Sequence, residues 1–135
     1  MKQLILITVP YLFHGEGVII TRLFEEGLQR LHLRKPDCEE SDLCRLLEEI
    51  PTSYHPQIVL HDHLPLAVRY GLGGVHLNRR NPHPPKGFSG TISRSCHTIE
   101  ELKIYKQLDY LFLSPIFASI SKEGYGSGFP MEQLK

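Results

Sequence analysis

The sequence has no excess of either charge. Lys and Arg number 15 and Asp and Glu number 15, for a formal net charge of zero. General nucleic-acid binders carry a basic surplus that neutralises phosphates, so this balance argues against that class. No apolar run approaches the roughly 20 residues of a membrane-crossing helix, and no membrane association is expected. The first ten residues, MKQLILITVP, hold one lysine and a short apolar run but no small-residue cleavage site. They read as a first strand rather than a secretion signal. Cysteine is scarce: Cys38, Cys44 and Cys96 form no Cys-x-x-Cys pair. Zinc-finger and disulfide-framework readings are therefore poor, and reduced thiols in a cytoplasmic protein are expected. No Gly-x-Gly-x-x-Gly follows the first strand, which lowers a dinucleotide-binding reading.

What is present is alternation. Strand-like runs begin near residues 3, 30, 57, 73, 90 and 109. Between them lie helical patterns. Ile20, Leu23, Phe24 and Leu28 share one helical face, and Leu43, Leu46, Leu47 and Ile50 repeat at helical spacing with Pro51 as the stop. LPLAVRYG is a short helix with Gly71 as its C-terminal cap, and Thr98 with Glu101 predicts a capping box for a helix running to about Leu108. The stretch from Asn78 to Gly90 is proline-rich and lacks a helical period, so it is predicted to be a long loop. Regular βα alternation implies right-handed crossovers and a parallel sheet. An open doubly wound sheet and part of a (β/α)8 TIM barrel both fit.

In such folds ligands meet the carboxyl ends of the strands. Those ends are polar here. The second carries His32, Arg34 and Lys35; the third, His61, Asp62 and His63; the fourth, His76, Asn78, Arg79, Arg80 and Asn81; the fifth, Ser93, Ser95 and His97; the sixth opens into Ser119, Ser121 and Lys122. The two-residue period puts His32 and Arg34 on one face and Leu31 and Leu33 on the other, and groups Ser93, Ser95 and His97. Polar groups on a buried face need partners, from one another or from a ligand. Plainer readings exist for each. Arg34 could pair with Asp62 as a structural ion pair, His61 and His63 are a weak metal pair, Arg79 and Arg80 read as a solvated loop, and Cys96 reads as a buried thiol. Gly124, Gly126 and Gly128 could form only a flexible loop, which alone is a weak phosphate signal.

Residues 28 to 128 resemble the thiamine-phosphate synthase/TenI family. DYLFLSPIFASISK is similar to that family's sixth-strand run, GVHLN to its fourth, SCHT to its fifth, LHLRKPD to its second and IVLHDHLPLA to its third. The resemblance implies a (β/α)8 barrel that joins hydroxymethylpyrimidine diphosphate to thiazole phosphate, or, in the TenI branch, tautomerises the thiazole phosphate. It implies Arg34, His61, His76, Ser95, Ser119, Ser121 and Lys122 as contacts to phosphorylated small-molecule substrates. It implies His97 as the proton-transfer residue of the tautomerase branch, and Asp62, more weakly Asn81, as ligands to Mg²⁺. The chain departs from the family pattern where Pro36 replaces a lysine, His61 an asparagine and Asn81 an aspartate. The lost lysine and carboxylate favour metal-free chemistry and keep open a non-catalytic thiazole- or thiamine-phosphate binder. An unrelated phosphosugar isomerase-type barrel is a further alternative. Residues 1–135 are expected to form one TIM-barrel domain with about six strands. Strands seven and eight are then missing, as in a fragment, or the open edges are covered in a homo-oligomer.

Overall fold

The computed structural model describes residues 4–113. These elements follow in order: β1 (Ile5–Ile7), α1 (Glu16–Glu25), β2 (Arg30–Leu33), α2 (Glu40–Glu49), a 3-10 helix (Thr52–Gln57), β3 (Ile58–Leu60), α3 (Pro65–Arg69), β4 (Gly74–Leu77), β5 (Thr91–Cys96), α4 (Ile99–Ile104) and β6 (Tyr110–Leu113). The alternation expected from the apolar pattern is present, and no helix or strand interrupts the loop from residue 78 to residue 90. Among the described residues no helix is long and apolar enough to cross a membrane. The chain divides into two compact units, Met1–Ile92 and Ser93–Lys135.

In the first unit β1 pairs with β2, β2 with β3 and β3 with β4, all in parallel. Register decides which side chains share a face. Leu31 lies opposite Ile58, His32 opposite Val59 and Leu33 opposite Leu60, while Val59 lies opposite Gly74 and Leu60 opposite Val75. One face therefore carries Leu31, Leu33, Ile58, Leu60, Val75 and Leu77. These join Ile20 and Phe24 of α1 and Leu43, Leu46 and Leu47 of α2 in the apolar core. The other face carries Arg30, His32, Arg34, Val59, His61, Gly74 and His76.

The 3-10 helix was not foreseen from the sequence. It places His55 so that its Nε2 lies 3.0 Å from the Leu47 carbonyl oxygen and 3.1 Å from that of Ile50. The imidazole thereby serves the last turn of α2, whose carbonyls have no partner within the helix. Gly73, just before β4, donates its N–H to the Ile58 carbonyl at 3.0 Å and accepts from the Thr91 N–H at 2.9 Å. A Cβ at this position would overlap the Pro56 carbonyl oxygen, so close backbone approach requires glycine.

In the second unit β5 pairs in parallel with β6, Ser93 opposite Tyr110 and Cys96 opposite Leu113. Cys96 is buried, as expected. The Thr98 hydroxyl accepts the Glu101 N–H at 3.1 Å, so the predicted cap is present. The Glu101 carboxylate reaches back to the His97 N–H at 2.6 Å, one residue earlier than in the usual capping box. That bond holds the carboxyl below its ordinary range. Helix α4 ends at Ile104 rather than near Leu108. It buries none of its residues, and a helix without packing has little to extend it.

Candidate functional site

At the carboxyl ends of β2, β3 and β4 three imidazoles meet in the interior. His32, His61 and His76 are 0%, 4% and 0% exposed. Strand register explains the contact. The His61 N–H continues the ladder by bonding the Leu33 carbonyl at 3.0 Å, one step beyond the Leu33–Leu60 pair. His61 and His76, each one step past the Leu60–Val75 pair, then stand side by side, their rings stacked at 4.1 Å and 17°. His32 approaches edge-on, with its Nδ1 2.7 Å from His61 Nε2. At that distance one nitrogen donates and the other accepts, so the pair is built for neutral imidazoles. Burial first, then the charge of His76, lowers His32 to about 3; burial first, then His76, His32, Arg34 and Arg80, lowers His61 to about 2.

A nitrogen from each ring lies within 4.8 Å of the others, a spacing open to a transition metal. The ring geometry opposes it. Lone pairs lie in the ring planes, and rings stacked at 17° aim them side by side rather than at one point. The sequence-based pairing of His61 with His63 also gives way. His63 has a φ of 52°, in the left-handed region, and its Nε2 lies 2.8 Å from the Cys38 carbonyl oxygen.

Asp62 is buried, and both of its carboxylate oxygens accept hydrogen bonds. Oδ2 accepts the Lys35 backbone N–H at 2.9 Å. Oδ1 accepts from Arg80 twice, from Nε at 3.0 Å and Nη2 at 2.9 Å. The structural ion pair expected between Arg34 and Asp62 is thus made by Arg80 instead, and the expectation that Arg80 is merely a solvated loop residue is corrected. Arg34 is half-buried, and no carboxylate among the described residues pairs with it.

The turn that delivers Arg80 is tied to β3. Asn78 and Asn81 donate their side-chain amides to the His61 carbonyl at 3.1 and 3.0 Å. The Asn81 N–H returns to the Asn78 side-chain oxygen at 2.9 Å, and the Asn78 N–H to the Asn81 carbonyl at 3.0 Å. A magnesium ion needs oxygen ligands free of competing donors. Here the one carboxylate is held by a guanidinium and a backbone N–H, and Asn81 offers only a neutral amide in place of a second carboxylate. The donor set as it stands does not fit that ion.

Lys35 was also missed as a structural group. Fully buried, it donates from Nζ to the Val9 carbonyl at 2.8 Å, the Tyr11 carbonyl at 2.7 Å and Glu16 Oε2 at 2.6 Å. All three ammonium protons are used, so it is not available to an anion. It fixes the segment that follows β1. Ser95 and His97 belong to the second unit, Ser95 half-buried and His97 exposed. Ser119, Ser121 and Lys122 lie outside the described residues.

Comparison with known proteins gives the family and the fold. Residues 4–135 match the family described as thiamine monophosphate synthase. A thiamine-phosphate synthase of Latilactobacillus sakei is 31% identical over 107 residues, which are 73% of this chain and 48% of that protein. One from Caldicellulosiruptor saccharolyticus is 26% identical over 116 residues, 78% of this chain and 52% of that protein. The crystal structure of a thiamine phosphate pyrophosphorylase from Bacteroides thetaiotaomicron is 47% identical, with a TM-score of 0.81 over 90% of this chain and 62% of that one. The chain spans about half the length of the curated relatives it matches. At that identity the solved relative also fixes the fold class, an α/β arrangement of parallel strands consistent with part of a TIM barrel. By its match over nearly every residue, the chain belongs to the thiamine monophosphate synthase family.

Proposed function

We propose that the chain serves thiamine biosynthesis as a thiamine-phosphate synthase, joining hydroxymethylpyrimidine diphosphate to thiazole phosphate. The observation that carries this reading is Arg34, a half-buried cation with no carboxylate partner among the described residues, at a strand end beside His61. A buried-side guanidinium left without an anion suits a phosphorylated substrate. The reaction breaks the bond from the pyrimidine methylene carbon to the diphosphate oxygen. The thiazole nitrogen then forms a new bond to that carbon, and diphosphate leaves with the electron pair. The task of the cations is to stabilise charge on the departing diphosphate. Magnesium would supply the same stabilisation if bound. No step is assigned to it, because Asp62 is engaged by Arg80. The family resemblance adds Ser95, Ser119, Ser121 and Lys122 as further candidate phosphate contacts. The three cysteines are unpaired, which suits the cytoplasm.

A second reading is favoured by the same Asp62–Arg80 pair, which leaves no ready metal ligand. It is the tautomerase, in which His97 shuttles a proton on the thiazole phosphate at neutral pH. The test is to incubate the chain with both synthase substrates, with and without Mg²⁺, and separately with the thiazole tautomer alone. Thiamine phosphate formation supports the synthase. Its absence, with tautomer conversion that His97→Ala abolishes, replaces that reading with the tautomerase. Binding of thiazole phosphate with neither product overturns both and leaves a non-catalytic binder.

A further inference from the structure

Asp62 and Arg80 deepen the proposed function and rest on it for the identity of the anion. The Arg80 guanidinium carries five N–H donors. Asp62 takes two of them, at Nε and Nη2. Three remain without a partner among the described residues, and the side chain is 41% exposed, so an incoming anion can reach the guanidinium. The other partner, Asp62, is 6% exposed at its side chain and cannot present itself to solvent. The turn from Asn78 to Asn81 is bonded to the His61 carbonyl by two side-chain amides, so Arg80 is delivered from a fixed base. Both Arg34 and Arg80 act electrostatically on His61, which places two cations around one strand end.

We propose that Arg80 holds the position a divalent cation would take beside Asp62, and that its outward N–H groups, together with Arg34, bind a diphosphate without metal. Asp62 is then an orienting group for the arginine rather than a metal ligand. The carboxylate fixes one edge of the guanidinium and leaves the other edge for two oxygens of the anion, the bidentate geometry that favours arginine over lysine.

The test titrates the chain with inorganic pyrophosphate in excess EDTA by calorimetry, and with Mn²⁺ alone by electron paramagnetic resonance. The wild type should bind pyrophosphate in EDTA and show no stoichiometric Mn²⁺ site. Arg80→Gln should weaken pyrophosphate binding about tenfold or more, the expected loss of a charge-assisted pair of hydrogen bonds. It should also gain Mn²⁺ binding as Asp62 is released. Because that variant leaves a buried carboxylate without its counter-ion, the double variant Asp62→Asn/Arg80→Gln is measured beside it. It should lose pyrophosphate equally and bind no Mn²⁺. Pyrophosphate binding that requires Mg²⁺, or that survives in both variants, overturns the inference, as does a tight wild-type Mn²⁺ site lost in Asp62→Asn. The same preparations are assayed for thiamine phosphate. Metal-free pyrophosphate binding without turnover keeps this inference and sinks the synthase, whereas turnover with strictly Mg²⁺-dependent binding does the reverse.

Discussion

Acidification should destabilise this protein before its carboxylates titrate, because His32 and His61 are held neutral. Folding lowers their pKa values from 6.5 to about 3 and about 2. The unfolded chain binds protons at both groups below pH 6.5 and the folded chain does not. Their contribution to stability is therefore complete above pH 6.5, is lost as pH falls through that value, and goes on being lost down to the folded values. At pH 5 each unfolded histidine lies about 1.5 pH units below its ordinary pKa, and at about 1.4 kcal/mol per pH unit this costs about 2 kcal/mol each. The pair costs about 4 kcal/mol, a large share of a total stability of roughly 5–15 kcal/mol. Ordinary carboxylates, with pKa values of about 4, remain mostly ionised at that pH, so they add little. Urea unfolding followed by far-ultraviolet circular dichroism suits a chain with no tryptophan. Measured at about pH 8 and about pH 5, it should show the full drop in the wild type and about half of it in His61→Asn. Equal stability of the wild type at both pH values, or an undiminished drop in His61→Asn, would refute the reasoning.

Lys35→Met should cost about 3–5 kcal/mol, because it leaves Glu16 as a buried anion whose Oε1 has no partner among the described residues and strips donors from the Val9 and Tyr11 carbonyls. Pairing it with Glu16→Gln should recover part of that loss in urea unfolding, and a cost for the single variant below about 1 kcal/mol would count against the ion pair. Gly73→Ala should destabilise by about 2 kcal/mol or more, because the new methyl must push back the Pro56 carbonyl. A thermal melt unchanged from wild type would show that the backbone there can yield.

Much of the fold could be read from the sequence, because alternation of apolar patterns is a property of each segment alone. The split of β2 into a leucine face and a His32–Arg34 face was legible for the same reason, since a two-residue period needs no knowledge of neighbours. Contacts between strands are different. Whether His61 meets His32, His63 or His76 depends on register, and a shift of one residue would send its ring to the opposite face. Sequence spacing favoured His63, two residues away. The left-handed φ at His63 breaks the period and hands its ring to the Cys38 carbonyl instead.

Charge pairing was the least legible layer, and for a specific reason. Asp62 had two candidate arginines, one at the end of the neighbouring strand and one in a loop whose prolines and charges suggested solvent. Arg34 follows the period of β2, which fixes which way its side chain points. Arg80 belongs to a turn closed by Asn78 and Asn81 on the His61 carbonyl, so it can be brought over the carboxylate from outside the sheet. The loop residue takes the buried anion, and the strand residue is left with its charge uncompensated by any described carboxylate. Because a buried aspartate requires a cation while a half-exposed arginine can wait in water, this division puts the idle positive charge where a ligand can reach it. The asparagine at position 81 contributes to that outcome. In place of the aspartate implied by the family pattern, it supplies a neutral amide whose nitrogen ties the turn to the His61 carbonyl.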